Sequence, residues 1–131
     1  MKVDKVKKSG FNYKAARQFL KKKELKIIQR NKELFEKAEN DCRNIVTMII
    51  EKYSPKRVYQ WGSLLHPDQF REYSDIDLAV EGITDVEIFF SLIGDAMRLT
   101  RFHLDIVQIE KIEPEFAESI ITRGKTVYER T

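Results

Sequence analysis

The apolar positions in the first half of the chain recur at helical spacing. From Glu24 to Tyr53, Ile28, Phe35, Cys42 and Ile49 repeat every seven residues, and Leu34, Ala38, Ile45 and Val46 widen the stripe; this spacing predicts a helix over 24–53. Ser54-Pro55 stops it. Ahead of it, YKAARQFLKK (13–22) predicts a separate short helix, and residues 1–10 read as a frayed lead ending at Ser9-Gly10. Thirty residues at about 1.5 Å each span about 45 Å, longer than a small domain is wide. Part of the stripe must therefore project toward a partner helix, or be covered by residues 13–22 folded back as a hairpin.

After Pro55 the period shortens. RVYQW (57–61) alternates as a strand running into a Gly-Ser turn, and IDLAVEG predicts a second strand. Thr84-Asp85-Val86-Glu87 has the form of a capping box, opening a helix through Ile88, Phe89, Leu92, Ile93, Ala96 and Met97 that ends near Thr100. FHLDIVQI (102–109) predicts a third strand, with Leu104 and Ile106 facing opposite to His103, Asp105 and Val107. Glu113-Pro114 starts a last helix closed by Gly124, and TVYE follows as a short strand. The order α, β, β, α, β, α, β predicts one α+β domain: a small mixed β-sheet flanked by helices, with a long N-terminal helical extension. We place the basic extension at 1–44 and the folded domain at 45–131.

Composition changes this picture in one respect. The net charge of +3 conceals two opposed halves: residues 1–57 hold 17 Lys and Arg against 7 Asp and Glu, whereas residues 58–131 hold 7 against 14. A basic arm thus precedes an acidic domain, suited to solvent, to its own acidic half, to an acidic protein or to nucleic acid. Its lysine clusters lack interleaved aromatics, which argues against a specific nucleic-acid module. No apolar run is long enough for a membrane span and the first residues lack a signal-peptide core, so the expected location is the cytoplasm. Cys42, the only cysteine, excludes an internal disulfide and reads as a packing residue.

The candidate chemistry lies in QWGSLLHPDQFREYSDIDLAVEG (60–82). If the second strand begins at Ser74, Asp75 and Asp77 share one face while Ile76 and Leu78 take the other. Asp105 sits between apolar neighbours in the next strand, where an uncompensated charge is costly. Three carboxylates on neighbouring strands form the oxygen-rich site that Mg²⁺ or Mn²⁺ prefers, and paired ions serve in-line phosphoryl or nucleotidyl transfer. In that chemistry Asp75 and Asp77 bridge the metals, Asp105 holds the catalytic one and helps deprotonate the attacking hydroxyl, and Gly62 with Ser63 cradles phosphates. The residues before Asp75 are polar, unlike the apolar strand that leads into a haloacid-dehalogenase Asp-x-Asp. A P-loop is absent from the sequence, and the calcium-loop offsets fail.

W-G-S, S-D-I-D-L, L-D-I-V and R-G-K-T-V-Y-E together resemble the minimal nucleotidyltransferase (MNT) domains of the DNA polymerase β-type superfamily, over about residues 45–130. The resemblance implies an NTP donor, ATP foremost, with Mg²⁺ (or Mn²⁺), and transfer of a nucleoside monophosphate to an acceptor hydroxyl. It carries the metal ligands onto Asp75, Asp77 and Asp105, and the phosphate-binding pair onto Gly62 and Ser63. Many such domains are antitoxins paired with an all-helical HEPN protein, on which they can adenylylate a tyrosine; others modify small molecules. The competing readings are an independent enzyme that nucleotidylates a small hydroxylated compound and a non-catalytic binding module; homodimerisation is the alternative to a helical partner for the stripe. The loop after Gly62-Ser63 departs from the family pattern: Leu64, Leu65, His66 and Pro67 stand where a basic residue and a second glycine are usual. Arg71 is the candidate in that loop to supply the missing charge to a nucleotide.

Overall fold

The structure is a computed structural model that describes residues 12–131; the frayed lead expected at residues 1–10 lies outside the described residues. Helix α1 spans Tyr13–Tyr53 without a break, so the two expected helices are one and no hairpin covers the stripe. Lys21-Lys22-Lys23 and Glu24 interrupt the apolar pattern but not the helix, because lysine and glutamate are good helix formers on exposed positions. Asn12 caps the start by accepting the Ala15 N–H at 3.0 Å. Ser54, in the left-handed region at φ 48°, ends the helix ahead of Pro55.

The remaining elements follow the expected order. Strand β1 is Arg57–Trp61, β2 Ile76–Glu81, β3 Leu104–Gln108 and β4 Lys125–Glu129, with helices α2 at Val86–Met97 and α3 at Pro114–Arg123. Two short 3₁₀ turns, Gly62–Leu65 and Pro67–Gln69, which the sequence pattern did not predict, shape the loop between β1 and β2. The cap of α2 is Asp85 rather than Thr84. Its carboxylate accepts the Ile88 N–H at 3.0 Å, placing a full negative charge at the helix start where threonine offers only a dipole. That helix closes at Met97 with Arg98 as its cap, short of Thr100. At Gly124 a Cβ would lie 2.5 Å from the Ile120 carbonyl oxygen and 2.7 Å from that of Gln60, so glycine is required there by close approach.

The sheet order is β3-β2-β1-β4. The β2–β3 pairing is parallel, with α2 as its crossover, and both pairings of β1 are antiparallel. Val58, Ile76, Leu78, Val80 and Ile106 face the main core, where they meet Ala38, Cys42, Ile45 and Ile49 of α1 and Phe89, Leu92 and Ala96 of α2. Each buried side chain of this kind contributes roughly 1.5–3 kcal/mol by leaving water. The other face holds a smaller cluster of Tyr59 and Ala79 with Ile120 of α3.

Polar clasps hold α1 to the rest. Asp41, buried on α1, accepts from Thr100 Oγ1 at 2.7 Å and from Lys37 Nζ at 3.3 Å. On α2, Asp95 accepts from Lys52 Nζ at 2.6 Å and from the Tyr53 hydroxyl. The loop between β1 and β2 is pinned to α1 by Phe35 against Phe70, ring centres 5.8 Å apart, and by Arg30 donating to Glu72 at 3.0 Å.

Candidate functional site

The site is built at the end of the sheet where β1 finishes and β2 and β3 begin. Strand pairing sets its register: Trp61 lies opposite Asp77, and Asp77 opposite Asp105. Residues directly opposite share a face, so these three form a row across the sheet on the side away from the main core. Asp75 stands one residue before β2, which starts at Ile76 rather than Ser74. The Ile76 N–H is nonetheless bonded to the His103 carbonyl oxygen at 2.9 Å, which ties the segment carrying Asp75 to the entrance of β3.

The electrostatics of the row are those of crowded like charges. Asp77 is only 8% exposed, and burial, then the charge of Asp105, then that of Asp75 push its carboxyl up to about 7. Burial and the Asp75 charge also raise Asp105. Among the described residues the charges that act on Asp77 are all negative, so an incoming cation meets an uncompensated site. As placed, the three carboxylates do not form a closed ligand set: among the described residues no group of three or more His, Cys, Asp or Glu is gathered tightly enough to hold a metal ion. What fits a divalent cation is the charge and the oxygen donor chemistry.

Gly62 is placed for close approach. Its φ is +81°, and a Cβ on it would fall 1.9 Å from Asp77 Oδ2. Only glycine tolerates both conditions. The turn it opens brings Ser63 immediately after the row, and the Ser63 carbonyl oxygen accepts the His66 N–H at 2.9 Å. His66 itself is exposed. Gly62, Ser63, Asp75, Asp77 and Asp105 are thereby brought to one end of the sheet.

Arg71 is directed elsewhere. Its guanidinium donates to the carbonyl oxygens of Asp68 at 2.9 Å and Phe70 at 2.8 Å, and it lines a cleft against Ile28 and Phe35 of α1. His103 lines a different hollow with Ile93, Met97 and Phe102.

Three side chains outside the quoted site stretch were not singled out from the sequence: Phe116 beside the row, and Arg43 and Lys125 in a cleft on the core side of the sheet. Phe116 of α3 meets Trp61 edge to face, ring centres 5.3 Å apart, and the buried Trp61 Nε1–H has no hydrogen-bond partner among the described residues. Arg43 of α1 and Lys125 of β4 line a cleft of about 360 Å³ with Cys42 and Gln60. Burial, then the charge of Glu39, pushes the Cys42 thiol up to about 12; Arg43 opposes the rise and Asp77 adds to it. Pairing of Lys125 with Gln60 depends on tertiary register, which no local sequence signal reveals.

The polymerase β nucleotidyltransferase family model matches residues 43–131. Solved structures share the fold. One is the toxin–antitoxin MntA-HepT, 17% identical with a TM-score of 0.54, covering 70% of this chain and 73% of that one. Another is a toxin–antitoxin with AMP-PNP, 23% identical with a TM-score of 0.56, covering 67% and 73%. A mutant of the MntA pair is 18% identical at a TM-score of 0.57, covering 69% and 74%. No curated protein matches the chain. The family match extends from within α1 to the last residue, and the same span carries the register-locked row and the glycine turn beside it; the chain belongs to the polymerase β nucleotidyltransferase family.

Proposed function

We propose that this protein is a Mg²⁺-dependent nucleotidyltransferase that moves a nucleoside monophosphate from an NTP, ATP foremost, onto an acceptor hydroxyl, and that it acts as the antitoxin partner of a HEPN-type helical protein. The observation that carries the reading is Asp77. A carboxylate this buried, faced among the described residues by Asp105 and Asp75 and by no cation, is a poor structural element and a good receiver of a divalent ion. Asp75, Asp77 and Asp105 would hold Mg²⁺ or Mn²⁺, which supplies Lewis-acid stabilisation of the charge that develops on the phosphoryl oxygens.

The chain's own residues do the rest. Backbone N–H groups of the Gly62 turn and the Ser63 hydroxyl orient the phosphates, because no Cβ at Gly62 stands between them and the row. Asp105, its proton affinity raised by burial and by Asp75, takes the proton of the acceptor hydroxyl. The acceptor oxygen bonds to the α-phosphorus, the bond from that phosphorus to the bridging oxygen breaks, and pyrophosphate leaves. The toxin–antitoxin pairs among the structural neighbours support the partner half of the proposal.

A second reading has a specific observation behind it. Arg71 is committed to carbonyls of its own loop, which favours a module that binds and neutralises a partner without transferring a nucleotide. Incubation with labelled NTPs, Mg²⁺ and the candidate partner separates the two, run beside an Asp75→Asn, Asp77→Asn double variant. Label transferred by the wild type alone supports catalysis. Absence of NTP binding in calorimetry refutes it and leaves the binding module.

A further inference from the structure

The N-terminal half of α1 continues, bare, the same face that its C-terminal half buries. Along that face Ala38, Cys42, Ile45 and Ile49 are buried against the sheet, and Leu34 and Phe35 are partly covered. Further toward the N-terminus, Leu20, Ile27 and Ile28 are 63%, 52% and 57% exposed. Leu20, Ile27 and Leu34 stand seven apart, as do Ile28, Phe35, Cys42 and Ile49. A stripe repeating at seven along an unbroken helix is complementary to another helix laid alongside it. At about 100° per residue, Glu24 and Asn31 lie within the stripe, Lys21 and Lys32 border it on one side and Lys23 and Arg30 on the other. Residues 13–37 hold nine Lys and Arg against three Glu, so two copies laid stripe to stripe would set like charges against each other.

We infer that this half of α1 is a docking surface for a partner protein that presents an amphipathic helix with an apolar stripe and acidic flanks. The inference rests on the partner half of the function proposed above and not on catalysis. Charge complementarity selects the occupant, and the stripe is continuous with the packed face of α1. At its inner end the stripe opens into a cleft of about 370 Å³ lined by Ile28, Lys32, Phe35, Pro67 and Arg71, which receives an anchoring side chain of the incoming helix. Its far wall is the loop that joins Ser63 to Asp75, so a docked partner lies against the loop that carries both halves of the candidate site. The outward face of α2, with Val86, Phe90 and Met97 exposed, has no comparable charge, and nothing in the structure says what covers it.

The test uses the full chain and two synthetic helix-stabilised peptides of about twenty residues, each with Leu and Ile at seven-residue spacing, one flanked by Glu and the other by Lys. Fluorescence anisotropy is expected to show binding of the Glu-flanked peptide, weakening with added salt. Leu20→Asp with Ile27→Asp should weaken it at least about tenfold. Lys21→Glu with Lys23→Glu should switch the preference to the Lys-flanked peptide. Equal binding of both peptides by the wild type, or unchanged binding by the Leu20→Asp, Ile27→Asp variant, overturns the proposal. Light scattering that shows a wild-type dimer dissolved by those two substitutions gives the face to a second copy, and RNA binding lost in them gives it to nucleic acid; either overturns it too. Label transfer in the preceding experiment is read separately, so docking can fail while catalysis stands, and the reverse.

Discussion

Strand β2 carries two carboxylates on the same face, and their surroundings are opposite. Glu81, at one end, accepts from Arg57 Nη1 at 2.8 Å and from the Tyr59 hydroxyl at 2.8 Å, with Lys56 Nζ 3.7 Å away. Asp77, at the other end, is faced by Asp105 and Asp75. Four residues apart on one strand, they show that this fold can neutralise a half-buried carboxylate and at Asp77 does not. A charge left uncompensated where compensation is within the fold's means marks a place where function and stability compete.

Several measurements break or sharpen that contrast. The largest effect is expected from Asp77→Asn, which should cut nucleotidyl transfer on the order of 10³-fold in a label-transfer assay while leaving the circular dichroism spectrum unchanged. The same substitution should alter the pH dependence of stability. Because the folded-state value of Asp77 is raised to about 7 from 3.8, the folded protein binds the proton more tightly than the unfolded chain. Its contribution is therefore fully present below pH 4 and is lost as pH rises to about 7. In metal-free protein this decline should amount to about 2 kcal/mol once side-chain relaxation toward water is allowed for. Urea melts at pH 4.5 and 8 should show it in the wild type and not in Asp77→Asn, and added Mg²⁺ should recover part of it at pH 8.

Glu81→Gln should act with the opposite sign. It removes the charge from a partnered site and should destabilise the fold by about 1 kcal/mol at neutral pH, read from the same melts. If Asp77→Asn also destabilised the metal-free protein at pH 8, the contrast between the two ends of β2 would be gone. The smallest effect belongs to Asp95, whose carboxyl is held below its ordinary value by hydrogen bonds from Lys52 and then Tyr53. That contribution is present above the unfolded value near 4 and is lost as pH falls through the lower folded value. Asp95→Asn should shallow the acid limb of the stability profile and leave the neutral region almost unmoved.

What could be read in advance divides along physical lines. Alternation in IDLAV and LDIV fixed which side chains face the core, because a period of two is local. The partnership of Asp77 with Asp105 followed from two strands whose pattern was plain. The unbroken length of α1 was not legible, since three consecutive lysines interrupt hydrophobicity without interrupting helix propensity. Asp85 displaced Thr84 as a cap because both can accept the amide three residues on, and charge decides between them. The clasps of Asp41 with Thr100 and of Asp95 with Lys52 join residues 59 and 43 positions apart, and only the packed chain brings them together. Arg71 was matched to the site by its place in the loop, but the carbonyls of that loop were nearer.

Trp61 gives the molecule a property of its own. It is the only tryptophan in the chain, it lies directly across the strand from Asp77, and its ring rests edge-on against Phe116. All indole emission of the protein therefore originates one strand away from the candidate metal position. Light absorbed at the red edge of the protein spectrum excites that position alone, so the protein reports on its own site without a label.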